Sequence, residues 1–428
     1  MADSQKLNDY STTSVPMDQR KSWVSMGLIW ASSGVSLTTI VTGSTIGAGL
    51  SFQHALVAAI IGGLVLALVT GVCGVIGAKT GFSTAMISQF TFGKAAILMI
   101  AFIQAFGSFG WFGVQLGLFG DTAATAWELA FHSAVSPLAC ILVGGVLMVA
   151  SSVFGYKARD ILSKIGVPLL LILLLASLWK LISGISTAEI WSLHGPSEPI
   201  TVGYGISVAV SSLIVGALVA PDVSRYAKTP KQAAGAAALS FGIAVPIMLL
   251  IGVITCQATA EPDVVQTMLK LGWGVAAFLI LLFAQWNSNG NNLYCAALGF
   301  SVVFKKLKEY QLNILSGAIG ILLAMSGIYQ NFTTFLNFLG ILIPPMGGVI
   351  AADYYFFNGK FYEERYLERL RRVNTPACVS WIIGSVVSCL TTYTPLTLTT
   401  APAIDGMLVG FVIHFLWMKI KLHPTVSE

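Results

Sequence analysis

Charge is the scarcest commodity in this sequence. Of 428 residues only 10% are Asp, Glu, Lys or Arg, while 56% are hydrophobic, and mean hydropathy is +0.81. A soluble enzyme or binding module of this length could not cover its surface with so few charges, so both are excluded. Cysteine is sparse as well. Cys73, Cys140, Cys256, Cys295, Cys378 and Cys389 all lie in apolar segments without CxxC spacing. That excludes a disulfide scaffold or thiolate metal centre and leaves small core residues of a helix bundle. No run of Lys and Arg interleaves with aromatics on a polar stretch, which removes nucleic acid as a partner.

Ionisable groups are nearly missing from the middle of the apolar blocks. Asp222, Asp353 and Asp405 stand near block ends and His414 in the last block, where each reads as an interfacial group or a helix contact. There is no intramembrane chain of carboxylates and histidines to relay protons. Nor is there a nucleophile–base pair or ligand cluster for an intramembrane enzyme. The expectation is a chain with no catalytic residues and no organic cofactor.

What the sequence does have is long apolar runs, such as Ile60 to Val72, Ile165 to Leu178 and Ile243 to Ile254. With their flanks they reach the roughly 20 residues needed to cross about 30 Å of hydrocarbon. Twelve spans are predicted, at about 24–48, 54–77, 95–120, 134–155, 161–184, 201–220, 232–257, 271–301, 311–328, 332–353, 375–394 and 399–419. With the amino terminus placed in the cytoplasm, 21 of the 23 basic residues fall on inner segments, leaving Lys180 and Lys270 outside. This is the positive-inside asymmetry of a multi-pass protein of a bacterial inner membrane with both termini cytoplasmic. Residues 1–22 are polar and form a cytoplasmic tail rather than a signal peptide, and 421–428 form the second tail. The outer loops include Asp121 with Glu128 and Glu261 with Asp263.

Two spans carry matched interruptions. Span one holds Ala31-Ser32-Ser33-Gly34-Val35-Ser36 and then Thr42 to Gly49; span six holds Ser211-Ser212 followed by Gly216 and Ala220-Pro221-Asp222. Broken helices at mid-membrane free backbone groups for solutes and ions. The five-span offset predicts inverted repeats at 23–184 (spans one to five) and 201–353 (spans six to ten), with spans eleven and twelve, 375–420, as additions. The fold class is therefore an all-α membrane protein of about 12 helices in a five-plus-five arrangement.

Span eight contains Gln285-Trp286-Asn287-Ser288-Asn289-Gly290-Asn291-Asn292. Facing lipid, so many amides would cost several kcal/mol each. Gln285, Ser288, Asn289 and Asn292 share one helix face. Their neutral oxygens suit a weakly held sodium ion or a neutral polar solute, not a transition metal. On span three Ser108, Trp111 and Gln115 are three and four apart, so one face presents a hydroxyl, an indole and an amide. Such a face fits a flat polar heterocycle stacked on the indole.

At these residues the chain resembles the nucleobase:cation symporter (purine/cytosine permease) family, and most of all its bacterial cytosine permeases. The carriers are Thr42 to Ser51, Ile76 to Gly81, Gly110 to Val114, Pro221 to Tyr226, Asn291 to Tyr294 with Leu298 to Phe300, and Ile343 to Tyr354. The resemblance implies uptake of a small heterocycle by alternating access, coupled to sodium or protons, by a protein that works as a monomer in the lipid bilayer. It implies a ring stacked on Trp111, with Ser108, Gln115, Ser212, Leu213 and Asn289 around it. It places sodium on the carbonyls of Ser32, Val35 and Ala284 and the side chains of Asn287 and Ser288. The chain departs from the cytosine-type pattern at several of these points. Ser108 stands for a glutamine, Leu213 for an aromatic, Val215 for a serine, and Asn287 and Ser288 for two threonines, while Gln115 matches the hydantoin-transporting branch. Cytosine- or purine-type nucleobases, hydantoin- or allantoin-like rings and pyrimidine vitamin precursors all remain candidates, as does an amino acid or amine carried on the same fold.

Overall fold

The structure is a computed structural model that describes residues 13–20, 36–154, 169, 172–304 and 306–421. Among them the regular structure is helical, apart from one isolated bridge between Ser51 and His194. In chain order the helices are α1 (Leu37–Gly49), α2 (Phe52–Thr80), α3 (Thr84–Phe92), α4 (Ala96–Phe131), α5 (Pro137–Phe154) and α6 (Ile172–Ile182). There follow α7 (Thr187–Ser192), α8 (Val202–Leu218), α9 (Ala220–Ser224), α10 (Pro230–Thr259), α11 (Val264–Lys270) and α12 (Val275–Val303). The last four are α13 (Glu309–Met325), α14 (Phe332–Asp353), α15 (Thr375–Tyr393) and α16 (Pro402–Lys421). Among the described residues six stretches are long and apolar enough to cross a membrane: Phe52–Thr80, Ala101–Phe131, Pro230–Thr259, Phe332–Phe361, Thr375–Tyr393 and Pro402–Ile420.

Local signals set the helix ends. Ser51, Ser83 and Thr201 each accept a backbone N–H from the first turn of the helix they precede, covering a donor that has no helical partner. Gly81 ends α2 in the left-handed region at φ +76°, where a Cβ would be strained. Span three is longer than its sequence pattern suggests. No Gly or Pro follows Gly120 before His132, so α4 runs to Phe131 and takes Asp121 and Glu128, expected in an outer loop, onto the helix.

Most of the break predicted in span one, Ala31 to Val35, lies outside the described residues. α1 begins at Leu37, behind an extended Ser36 (φ −141°, ψ 153°) whose Oγ accepts the Thr39 N–H. Thr42 to Gly49, read as a second break, is helical: Thr42 and Thr45 donate their hydroxyls to the carbonyls four residues back. In span six the Ser211-Ser212 pair lies inside a continuous α8, where the Ser212 hydroxyl returns to the Ala209 carbonyl. The helix breaks instead at Val219 (φ −84°, ψ 13°), just ahead of Pro221, and restarts as the five-residue α9. Pro221 has no N–H to continue the α8 ladder, so the proline and not the serines sets the break.

Small residues bring the helices close. α1 lies against α10, and a Cβ on Gly43 would sit 2.0 Å from the Leu249 carbonyl oxygen, while one on Gly252 would sit 2.1 Å from that of Ile40. Close packing of small residues is what holds helices together where lipid removes the hydrophobic drive. Gly43→Val is therefore expected to cost at least the 1–3 kcal/mol typical of overpacking. The readout is the melting temperature of purified protein in detergent; an unchanged value would remove this contact from the account.

α14 stays helical through Pro344 and Pro345. Pro344 leaves the Gly340 carbonyl without its helical donor, and the Ser388 hydroxyl of α15 is shared between that carbonyl at 3.3 Å and the Pro402 carbonyl at 2.9 Å. Both α15 and α16 pack on α14.

Candidate functional site

Helices α4 and α12 form the largest helix–helix seam among the described residues. Glycines sink α4 among its neighbours. A Cβ on Gly107 would meet Val215 of α8 at 3.1 Å, and one on Gly110 would meet the Phe335 ring of α14 at 2.5 Å. The face between these contacts carries Ser108, Trp111 and Gln115.

Trp111 is half-buried. Its ring meets Phe332 and Phe335 edge-on, with centroids 5.9 and 5.4 Å away and interplanar angles of 67° and 83°. These contacts fix the indole's orientation without stacking on it. Leu213 and Val215 of α8 are half-buried nearby in the same apolar cluster as Trp111. Ser108 is buried, and so is Gln115, one helical turn beyond the indole. The Gln115 amide donates to the Ser288 hydroxyl of α12 at 3.2 Å, whereas its Oε1 is buried and accepts nothing from the described residues. An unpaired buried acceptor costs about 1–3 kcal/mol, and the Oε1 of Gln285 on α12 is in the same condition.

The span-eight amides divide among several partners. Gln285 donates to the Thr122 hydroxyl of α4 at 3.3 Å, and the Trp286 indole to the Ser151 hydroxyl of α5 at 3.0 Å. Asn289 is fully buried; its amide donates to the Phe112 carbonyl at 3.2 Å and to the Met148 sulfur at 3.5 Å, while its Oδ1 accepts from Asn292. In this conformation Asn289 ties α4, α5 and α12 together, which is the helix-packing alternative to a solute contact. Ser212 is likewise turned into its own helix.

Of the five sodium positions, Ser32 and Val35 lie outside the described residues, as does the Asn287 side chain. Ala284 and Ser288 are half-buried one turn apart on α12, whose packing extends to α1. No group of three or more His, Cys, Asp or Glu that could hold a metal occurs among the described residues. A donor set of this kind offers neutral oxygens, as alkali cations accept, and none of the ligands a transition metal would favour.

Sequence reading missed one polar contact beside this region. Tyr204 of α8 and Asn337 of α14 are hydrogen-bonded at 3.0–3.2 Å. Both sit singly in apolar runs, and only their opposition across two helices makes them a pair.

A bundle of long apolar helices with an uncharged polar face in its interior is the architecture of a multi-pass membrane carrier. Comparison with known proteins makes this specific: a family model described as "Permease for cytosine/purines, uracil, thiamine, allantoin" matches residues 14–413. The chain belongs to this family, as its resemblance to the nucleobase:cation symporters implied. The cytosine permease of Escherichia coli K12 is 29% identical over 377 residues, 88% of each chain. A hydantoin permease of Microbacterium maritypicum is 24% identical over 376 residues, covering 82% of this chain and 76% of its own. Among solved structures, the inward-facing conformation of Mhp1 superposes with a TM-score of 0.86 at 18% identity, covering 100% of this chain and 97% of Mhp1. Mhp1 in a closed conformation with bromovinylhydantoin bound gives 0.79 at 19% identity, over 98% and 97% of the two chains. These structures show the fold that the chain shares.

Proposed function

We propose that the protein imports a neutral, nucleobase-like or hydantoin-like ring across a bacterial inner membrane by cation symport. The observation that carries this reading is the Trp111–Gln115 face: an indole held edge-on by two phenylalanines, with an unpaired buried amide oxygen one turn away. The indole offers a face for a flat ring, and Gln115 Oε1 accepts a ring N–H. No Asp, Glu, Lys or Arg lies among the named pocket residues, so a carboxylate or ammonium would find no counter-charge, which argues against an amino acid or amine. The relatives' substrates bracket the choice between cytosine and hydantoin, and Gln115 with Ser108 favours the hydantoin-like side.

The architecture proposed is twelve spans with both termini cytoplasmic, in which 23–184 and 201–353 are inverted repeats. Reciprocal packing supports it: α1 lies on α10 as α8 lies on α2, which pairs span one with span seven and span six with span two. The break at Val219 is a natural hinge for alternating access, and the break expected in span one is its proposed counterpart. The unit of transport is a single chain.

Sodium is the proposed coupling ion, held by Ser32, Val35, Ala284, Asn287 and Ser288. The Gln115–Ser288 hydrogen bond supplies a link: a cation that engages the Ser288 hydroxyl frees the Gln115 amide for the solute. Binding of each then favours the other, by the 1–3 kcal/mol common for coupled sites. Ser288→Ala is expected to raise the sodium concentration for half-maximal uptake about tenfold, measured as initial rates in sodium against potassium. Parent uptake indifferent to sodium would make protons the driver. The decisive assay is a thermal-shift screen of purified protein against nucleobases, hydantoins and pyrimidine vitamin precursors, in both salts. Stabilisation by none of them would reject the substrate class.

A further inference from the structure

Away from the solute site, an apolar groove of about 380 Å³ opens between α4, α14 and α15. It is comparable in size with small-molecule cavities. Its walls include Leu98, Phe102 and Phe106 of α4, Phe338 and Leu342 of α14, and Trp381 of α15. These walls are fixed. Phe106 packs on Phe338 with centroids 4.8 Å apart, and the Trp381 indole donates to the Leu342 carbonyl at 2.8 Å. Leu98, Phe102 and Phe338 are exposed. From Leu98 to Phe106 the groove follows α4 for about 12 Å, close to the roughly 15 Å depth of one leaflet.

The foot of this groove is cationic. The segment before α15 is clamped onto the start of α4: the N–H groups of Lys94 and Ala95 donate to the carbonyls of Arg371 and Arg372, both at 2.9 Å, and that of Asn374 donates to Phe92 at 2.7 Å. Gly93 makes the clamp possible, at φ +97° with a would-be Cβ 2.8 Å from the Arg372 carbonyl oxygen. The pairing sets the backbones of three basic residues, Lys94, Arg371 and Arg372, side by side one helical turn before Leu98, and all three are exposed. Lys94 donates one hydrogen bond to the Glu368 carbonyl. Among the described residues neither Arg371 nor Arg372 forms an ion pair. Guanidinium groups grip phosphate oxygens in a forked geometry, and basic pockets beside membrane helices recruit anionic headgroups.

We propose that this groove is a binding site for one anionic phospholipid, with an acyl chain between α4 and α14 and its phosphate on Arg371, Arg372 and Lys94. Charge complementarity selects the occupant: apolar walls alone would take any lipid, whereas a cationic foot one turn below them favours an anionic one. The proposal rests on the membrane placement given above but not on the identity of the solute. The same two helices hold Trp111 and its phenylalanine partners, so a chain wedged between them braces the solute site.

Native mass spectrometry of the full chain in detergent, titrated with phosphatidylglycerol or phosphatidylcholine, tests it. One phosphatidylglycerol should be retained at least tenfold more strongly than phosphatidylcholine. The double variant Arg371→Gln/Arg372→Gln should abolish the preference and Arg371→Lys/Arg372→Lys should keep most of it, while Leu98→Trp should weaken retention of both lipids. Lipid-free melting temperatures check that each variant is folded. Equal retention of the two lipids by the parent, or an undiminished preference in a folded Gln variant, overturns the site. Because lipid retention needs neither solute nor sodium, failure here leaves the transport reading intact, and an unresponsive solute screen leaves this one intact.

Discussion

Trp111→Ala is expected to abolish concentrative uptake while leaving the protein folded in the membrane. Covering one indole face with a flat ring buries on the order of 100 Å² of apolar surface, worth about 2.5 kcal/mol, and ring–ring geometry adds about 0.5–1.5 kcal/mol. At 1.4 kcal/mol per tenfold, solute affinity should fall by roughly 10² to 10³. Truncation also removes the edge contacts to Phe332 and Phe335, so a folding control is needed. Trp111→Phe keeps a ring in place and should retain part of the activity. The measurement is initial uptake of a radiolabelled solute identified by the thermal-shift screen, normalised to membrane-inserted protein. Uptake at the parent rate by the alanine variant would end the stacking role.

Asp353→Ala is expected to produce the largest loss of stability. Its carboxylate is fully buried and accepts three hydrogen bonds: from Tyr362 at 2.8 Å, Asn358 at 2.8 Å and His414 at 3.2 Å. The Tyr362 hydroxyl continues to Thr91 of α3 at 2.8 Å. Burial first, and then the neighbouring carboxylate, push the Tyr362 phenol well above its ordinary pKa, so it remains a donor. One side chain thus joins the end of α14 to α3, to α16 and to the turn after Asn358. Removing one partner from a buried charged network costs about 3–5 kcal/mol, because the others are left unpaired away from water. Asp353→Asn keeps the shape and should lose less. Thermal unfolding in detergent reads the effect, and a variant that melts with the parent would show that the network contributes little.

This network also marks the limit of sequence reading. Asp353 and His414 were legible as a helix contact or interfacial groups, and a contact is what they make. That they contact each other depends on α16 folding back onto α14, which neither local composition nor periodicity records. Asn289 shows the same limit from the other direction. Its place in an amide-rich span was plain, but its bonds to the Phe112 carbonyl and Met148 require α4 and α5 to lie opposite.

The predicted edges of span ten match α14, and those of span eleven match α15 to within one residue, because an apolar run bounded by polar loops is a one-dimensional signal. The misreading of span six has an equally local cause. A Ser-Ser pair tolerates helix when its hydroxyls bond the preceding turn, whereas Pro221 cannot complete the ladder.

The sequence by itself determined a bundle of apolar helices, the edges of spans ten and eleven, and the neutral side chains and indole–amide spacing of span three. Each follows from hydropathy or from helical spacing, which are properties of residues close in the chain. Only the tertiary structure decided which amides hold helices together and which amide oxygens, those of Gln115 and Gln285 among them, are left unpaired. It also decided where span six breaks and that the Arg371–Arg372 backbone pairs with the start of α4. Those outcomes depend on which helix lies opposite, and hydrogen bonds and close packing act only across that distance.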